Sequence, residues 1–215
     1  MTNIIIVHGA AANPQSNWFP WLKSELKKLG CRVFVPKFPT PKNQTLENWL
    51  KVFENYKQYL DENSIVVGHS LGPAFLLSVI EKLNSPIKAA FFVAGAAGLL
   101  NKPALDEPVK TFTTKTFDWV KIKKNCKKFY VINSDTDPYV PLEKGKELAK
   151  NLDTELIVLK NAGHINKESG YTKFDFLLEK IKDKSKMMIC PSLLHRVDPI
   201  SIAPFLLTKI FNRLL

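Results

Sequence analysis

Ser64-Ile65-Val66-Val67-Gly68-His69-Ser70-Leu71-Gly72-Pro73-Ala74-Phe75-Leu76-Leu77 is the stretch that decides the fold. An apolar, β-branched run enters a Gly-x-Ser-x-Gly turn, and a helix expected over 71–83 leaves it. In a chain with nine glycines and this serine content, chance supplies roughly 0.02 such matches. The two glycines suit a turn so tight that flanking side chains would clash. Such a turn lifts the Ser70 hydroxyl to the N-terminus of the following helix, where the macrodipole favours developing negative charge.

Outward from this turn the same strand-then-helix unit repeats. The runs at 4–7, 32–35, 65–67, 89–93, 129–132 and 155–159 are short, rich in Val, Ile and Phe, and mostly without polar alternation. That is the pattern of strands buried on both faces. Trp18, Leu22, Leu26 and Leu29 follow helical spacing up to Gly30. Thr45 can cap the next helix, whose stripe is Leu46, Trp49, Leu50, Phe53 and Leu60. Further helices are expected over 142–152 and around Phe174, Leu177, Leu178 and Ile181. The fold class is therefore α/β, with a mostly parallel six-stranded sheet and helices on both faces. Residues 95–118, punctuated by Gly95, Gly98, Pro103 and Pro108, read as a long loop or a small cap over one end of the sheet. Two parts are expected: a domain over 1–183, and an apolar, basic C-terminal tail over 184–215 with helical spacing from Ala203 to Leu214.

Composition narrows the function classes. The 215 residues are 45% hydrophobic and 24% charged, a globular balance that needs no disulfide or metal staple. No charge-free stretch is long enough to cross a membrane, so no stable membrane insertion is expected. The first residues, Met1 to Val7, lack a basic n-region and read as a strand rather than a signal peptide. Cys31, Cys126 and Cys190 are odd in number and far apart, which suits reduced thiols and a cytoplasmic location. The net charge of +11 raises the question of a polyanion. Its densest patch, Lys121-Ile122-Lys123-Lys124-Asn125-Cys126-Lys127-Lys128, reads as a solvated face or an anion site. No nucleic-acid motif surrounds it, so no nucleic-acid partner is expected.

The chemistry starts from Ser70. A serine hydroxyl needs a base, and the base needs an orienting carboxylate. In a strand-turn-helix context of this kind both follow in chain order, from loops at the strands' C-terminal ends. Past the fifth strand lies Asn133-Ser134-Asp135-Thr136-Asp137-Pro138-Tyr139-Val140-Pro141, and past the sixth Lys160-Asn161-Ala162-Gly163-His164. His164 is preferred as base over His195, which sits in the tail and follows no strand. His8 and His69 read as packing and hydrogen-bonding residues. Between Asp135 and Asp137 the residues alone do not choose, since either suits an Asx turn. An oxyanion hole needs two backbone N–H groups. Leu71, after the nucleophile, supplies one, and Ala10, in the small-residue loop after the first strand, the other. No His/Cys cluster has metal-ligand spacing, so neither metal nor cofactor is expected.

Val7-His8-Gly9, Asn17-Trp18-Phe19-Pro20-Trp21-Leu22, Gly68-His69-Ser70-Leu71-Gly72, the segment from Ser134 to Pro141, and Gly163-His164-Ile165-Asn166 together resemble one small α/β-hydrolase family. It is the family of the retinoblastoma-binding serine hydrolase and the YdeN-like bacterial esterases, the latter closer because of the Trp-Phe-Pro-Trp segment. The resemblance covers about residues 2–183. It implies a Ser-Asp-His triad whose acid stands immediately before a proline, which selects Asp137. The tail is the departure from the family pattern.

The function expected is that of a serine hydrolase of carboxylesterase type, cleaving small acyl esters through an acyl-enzyme. The alternatives are an amidase or peptidase with the same triad, and a non-catalytic interaction module on a hydrolase fold. Trp18 and Trp119 are candidates to line the substrate pocket, between residues 11–18 and 95–119. The partner expected is a small-molecule ester, and the protein itself a monomer or weak homodimer.

Overall fold

Strands β3 (Ile65–His69) and β4 (Ala89–Val93) are buried at every position, as runs without polar alternation require. They form the centre of a six-stranded sheet with β1 (Asn3–Val7), β2 (Arg32–Phe34), β5 (Phe129–Ser134) and β6 (Leu156–Leu159). The order is β2-β1-β3-β4-β5-β6, and every pairing is parallel. The computed structural model describes residues 1–185. The tail from residue 186, with Cys190 and His195, lies outside the described residues.

The chain first builds outward from β1 to β2, then crosses back to place β3 on the other side of β1. That reversal opens a crevice beyond the carboxyl ends of β1 and β3, the place where ligands bind in open parallel sheets. The loop starting at His8 and the turn at Ser70 both leave the sheet there.

Alternate residues of each strand feed two apolar layers. Ile5, Val7, Val66, Ala90, Phe92 and Val131 pack with α2 (Leu46–Lys57), α3 (Gly72–Ile80), α6 (Trp119–Lys124) and α7 (Leu142–Asn151). On the other face His69 meets Trp18 and Phe19 at the start of α1 (Phe19–Lys28), and Trp18 meets Phe174 just before α8 (Asp175–Ser185). Helix α3 is buried on all sides, which explains a sequence with no polar stripe. Thr45 Oγ1 accepts from Asn48 N–H at 3.2 Å to cap α2, and Gly30, at φ +78°, ends α1.

Five strand ends lie a residue or two from the expectation: β1 starts at Asn3, β5 runs on to Ser134, β6 starts at Leu156, and β2 and β3 differ at their carboxyl ends. β2 stops at Phe34, one residue early, because Pro36 has no N–H to continue the ladder. β3 runs on through Gly68 and His69, which pair with Phe92 and Val93. The segment after β4 folds as a cap of short helical turns: α4 (Pro103–Asp106), a 3₁₀ turn (Glu107–Val109) and α5 (Lys110–Thr113). The Asp106 carboxylate, buried, accepts from the N–H groups of Leu100 and Lys102 at 2.8 and 2.9 Å. Gln44 Nε2 donates to the Pro108 carbonyl and Leu46 N–H to Thr111 Oγ1, fastening the cap to the start of α2. Among the described residues no helix is long and apolar enough to cross a membrane.

Candidate active site

Ser70 has φ +59°, a left-handed conformation that is uncommon outside glycine. Its neighbours make room for it. A Cβ on Gly68 would lie 2.7 Å from the Gly72 carbonyl carbon, one on Gly72 2.7 Å from the Val7 oxygen, and one on Gly9 2.7 Å from Ser70 Cβ. Only glycine fits at these three positions, so the turn is pressed directly against the end of β1. Ser70 N–H donates to the Val93 carbonyl at 3.0 Å and ties the turn to β4 as well.

The end of β5 and its loop are tied to the loop after β6 by three bonds from backbone N–H groups to side-chain oxygens. Asn161 N–H donates to Asp135 Oδ1 at 2.8 Å, Ala162 N–H to Ser134 Oγ at 3.0 Å and Gly163 N–H to Thr136 Oγ1 at 3.2 Å. His164 Nδ1 then meets Asp137 Oδ2 at 2.8 Å. Asp135 thus holds backbone, and Asp137 is the carboxylate that reaches the histidine. The Asp137 side chain is fully buried, and its Oδ1 accepts from the N–H groups of Tyr139 and Val140 at 2.9 and 3.0 Å. Pro138 between them has no N–H to compete for the carboxylate.

The His164 loop is strained and clamped. Ile165, a buried β-branched residue, has φ +50°, a genuine outlier. Its carbonyl accepts from Trp18 Nε1 at 2.9 Å, and the His164 carbonyl from His69 Nε2 at 3.0 Å. Asn17 Oδ1 accepts from Lys167 N–H at 3.1 Å, and Ser169 Oγ from His164 N–H at 3.1 Å. His69 therefore carries its proton on Nε2 and is neutral. Burial above all, then the neighbouring His164, pushes its pKa down to about 3, and its buried Nδ1 has no partner. His8 is neutral too, its pKa lowered by burial. Phe38 N–H donates to His8 Nε2 at 3.1 Å, so Nδ1 carries the proton, donated to the Gly9 carbonyl at 2.8 Å. Both histidines position backbone on either side of Ser70.

A cavity of about 440 Å³ opens at this end of the sheet, lined by Ser70, Leu71, Ala10 and His164 among others. Within the described residues, the Ala10 and Leu71 N–H groups donate to no protein acceptor, and no hydrogen bond joins Ser70 Oγ to His164. Bonds of this kind are often long until substrate arrives. The rings expected in the pocket lie elsewhere. Trp18 is fully buried beneath the His164 loop, against Phe19, His69 and Phe174. Trp119 opens α6 and packs on Phe117, away from the cavity. The two segments expected to frame the pocket do so through smaller side chains: Ala11, Ala12, Ser16 and Asn17 from one, and Leu100, Leu105, Val109 and Thr113 from the cap. Tyr139, whose ring stands edge-on to His164 at 4.9 Å, is a lining residue the sequence reading missed. Its place between Asp137 and Pro141 was the available signal. Among the described residues no group of three or more His, Cys, Asp or Glu side chains is arranged to hold a metal ion. Cys31 and Cys126 are free and buried, and burial pushes the Cys126 thiol up to about 12.

The chain is similar to known proteins over nearly all of its described length. YdeN of Bacillus subtilis is 33% identical over 179 residues, spanning 82% of this chain and 92% of YdeN. The crystal structure of the ydeN gene product superposes with a TM-score of 0.80 at 31% identity, covering 86% of this chain and 98% of that one. The serine hydrolase RBBP9 of Rattus norvegicus is 25% identical over 195 residues, 89% of this chain and 98% of its own. The family model described as serine hydrolase matches residues 4–182, from β1 into α8. By that match, and by its likeness to YdeN in sequence and fold, this chain belongs to the serine hydrolase family of α/β-hydrolases.

Proposed function

We propose that the protein is a carboxylesterase that cleaves small acyl esters with Ser70 as nucleophile, His164 as base and Asp137 as the orienting acid. The observation that carries this reading is the 2.8 Å contact between His164 Nδ1 and Asp137 Oδ2, with Ser70 and His164 lining one cavity. Asp137 holds the tautomer that leaves His164 Nε2 free to take the Ser70 proton. Ser70 Oγ attacks the ester carbonyl, and the developing oxyanion receives the unused N–H groups of Leu71 and Ala10. The C–O bond to the alcohol breaks, and His164 returns the proton to the departing oxygen. Water, deprotonated in turn by His164, attacks the acyl carbon; the bond to Ser70 Oγ breaks, the acid leaves, and His164 returns the proton to Ser70. Helix α3 directs its positive end at the same centre.

The same reading takes a small-molecule ester as the partner and needs no cofactor. It has a monomer or weak homodimer working in the cytoplasm, in keeping with the free thiols of Cys31 and Cys126. A fluorophosphonate probe tests the mechanism: it labels the wild-type protein and not Ser70→Ala. Equal labelling of the two removes Ser70 as nucleophile.

A further inference from the structure

The cavity around Ser70 has two chemically unlike sides. One is mostly apolar: Ala74 from α3, Ala96 after β4, and Leu100, Leu105 and Val109 from the cap, with Thr113 its polar member. The other is polar: Ser16, Asn17, Asn166 and Glu168. A second cavity of about 340 Å³ shares Ser16, Asn17 and Glu168 and extends the polar side past Gln15 and Thr172.

The mechanism decides which part of an ester meets which side. His164 must deliver a proton to the leaving oxygen, so the alcohol departs along the His164 loop. Asn166 and Glu168 follow His164 on that loop, and the bond from Lys167 N–H to Asn17 Oδ1 holds Ser16 and Asn17 beside them. The alcohol therefore meets polar groups with room beyond. The acyl chain extends the other way, under the cap.

Resting on the serine mechanism proposed above, we infer that the preferred substrates join a straight acyl chain of medium length to a polar, hydroxylated alcohol of the glycerol type. At about 30 Å³ per non-hydrogen atom, the 440 Å³ cavity holds on the order of 15 such atoms. Shared about evenly between acyl and alcohol, that leaves roughly 7 atoms for the acyl part, the size of a hexanoyl to octanoyl chain. The cap is fixed by bonds from Lys102 Nζ to the carbonyls of Pro138 and Tyr139, at 2.9 and 3.0 Å, so the length limit is built in.

Two ester series test this on the full chain. With p-nitrophenyl esters, kcat/KM rises from acetyl by up to about fourfold per methylene to an optimum at hexanoyl or octanoyl, then falls at least about tenfold by dodecanoyl. With one hexanoyl chain on two alcohols, followed by pH-stat, the glycerol monoester is preferred over the hexyl ester. Val109→Phe moves the optimum to shorter chains, and Leu105→Phe serves the same purpose if the first variant does not fold. Glu168→Leu narrows the preference for glycerol. A flat length profile, an optimum at acetyl or dodecanoyl, or preference for the hexyl ester overturns the inference and leaves the serine mechanism standing. Failure of the fluorophosphonate to label wild type overturns both.

Discussion

His69 offers a direct reading of how tightly the site is built. Its ring is buried and neutral, with a pKa near 3 against an ordinary 6.5. The native protein therefore refuses a proton that the unfolded chain accepts. Stability that is complete above pH 6.5 must decline as the pH falls toward 3. From these two pKa values, His69 alone removes on the order of 2 kcal/mol between pH 7 and pH 5, and the loss continues as the pH falls further. The variant to compare is His69→Gln. Its amide N–H can still donate to the His164 carbonyl, yet it binds no proton. At pH 7 it is the less stable protein, having lost the ring contacts with Trp18 and Phe19. Urea unfolding followed by tryptophan fluorescence at pH 7, 6 and 5 then shows the gap closing by about 2 kcal/mol. Proton uptake common to the two proteins cancels in the difference. Two parallel stability curves would mean that His69 takes its proton normally in the folded state, and the account of a sealed, neutral clamp would be wrong.

Two further substitutions separate catalysis from scaffold. Asp137→Asn keeps the fold but loses the orienting charge, and kcat falls by about 10⁴-fold in a p-nitrophenyl ester assay. Asp135→Asn, whose amide oxygen still accepts from Asn161 N–H, stays near wild type, and equal losses for the two would undo the assignment of the acid. Gly72→Ala places a methyl group 2.7 Å from the Val7 oxygen. It costs about 2 kcal/mol and lowers Tm by roughly 4–8 °C, measured by calorimetry.

Much of this was legible in the chain because the decisive features are local. Apolar runs without alternation mark strands covered on both faces, and the six expected strands are the six found among the described residues, most with ends shifted by a residue or two. The Gly-x-Ser-x-Gly turn announces its own geometry, since both glycines meet backbone that leaves no space for a Cβ. What failed was long-range placement. Trp18 stands in a segment that does frame the cavity, but burial and its bond to the Ile165 carbonyl, 147 positions away, decide where the ring goes. No periodicity encodes that. Trp119 is set likewise by packing on Phe117. The cap escaped detailed reading because its helices of four residues are too short to show a helical period, and buried Asp106 and neighbouring loops hold them.

The choice between Asp135 and Asp137 shows what the sheet does for the chemistry. Strands β5 and β6 end in register, Ser134 opposite Leu159, and Asp135 N–H still donates to the Leu159 carbonyl. Beyond that point the backbones part, and side-chain oxygens of Ser134, Asp135 and Thr136 take over as acceptors for the facing N–H groups. Three consecutive short polar residues are what such an extension of the ladder needs, because longer side chains would push the loops apart. The next rung is Asp137 with His164. The base and its acid are thereby set by the bonded loops after β5 and β6, together with Trp18 and His69 from beneath, and the cap adds the Lys102 bonds to the loop after Asp137. Otherwise the cap contributes cavity walls, mostly apolar, at Leu100, Leu105, Val109 and Thr113. Residues that fix the chemistry and residues that shape the acyl side thus lie on different parts of the molecule. A change at Leu105 or Val109 should therefore alter which ester is taken while leaving the His164–Asp137 pair where it is.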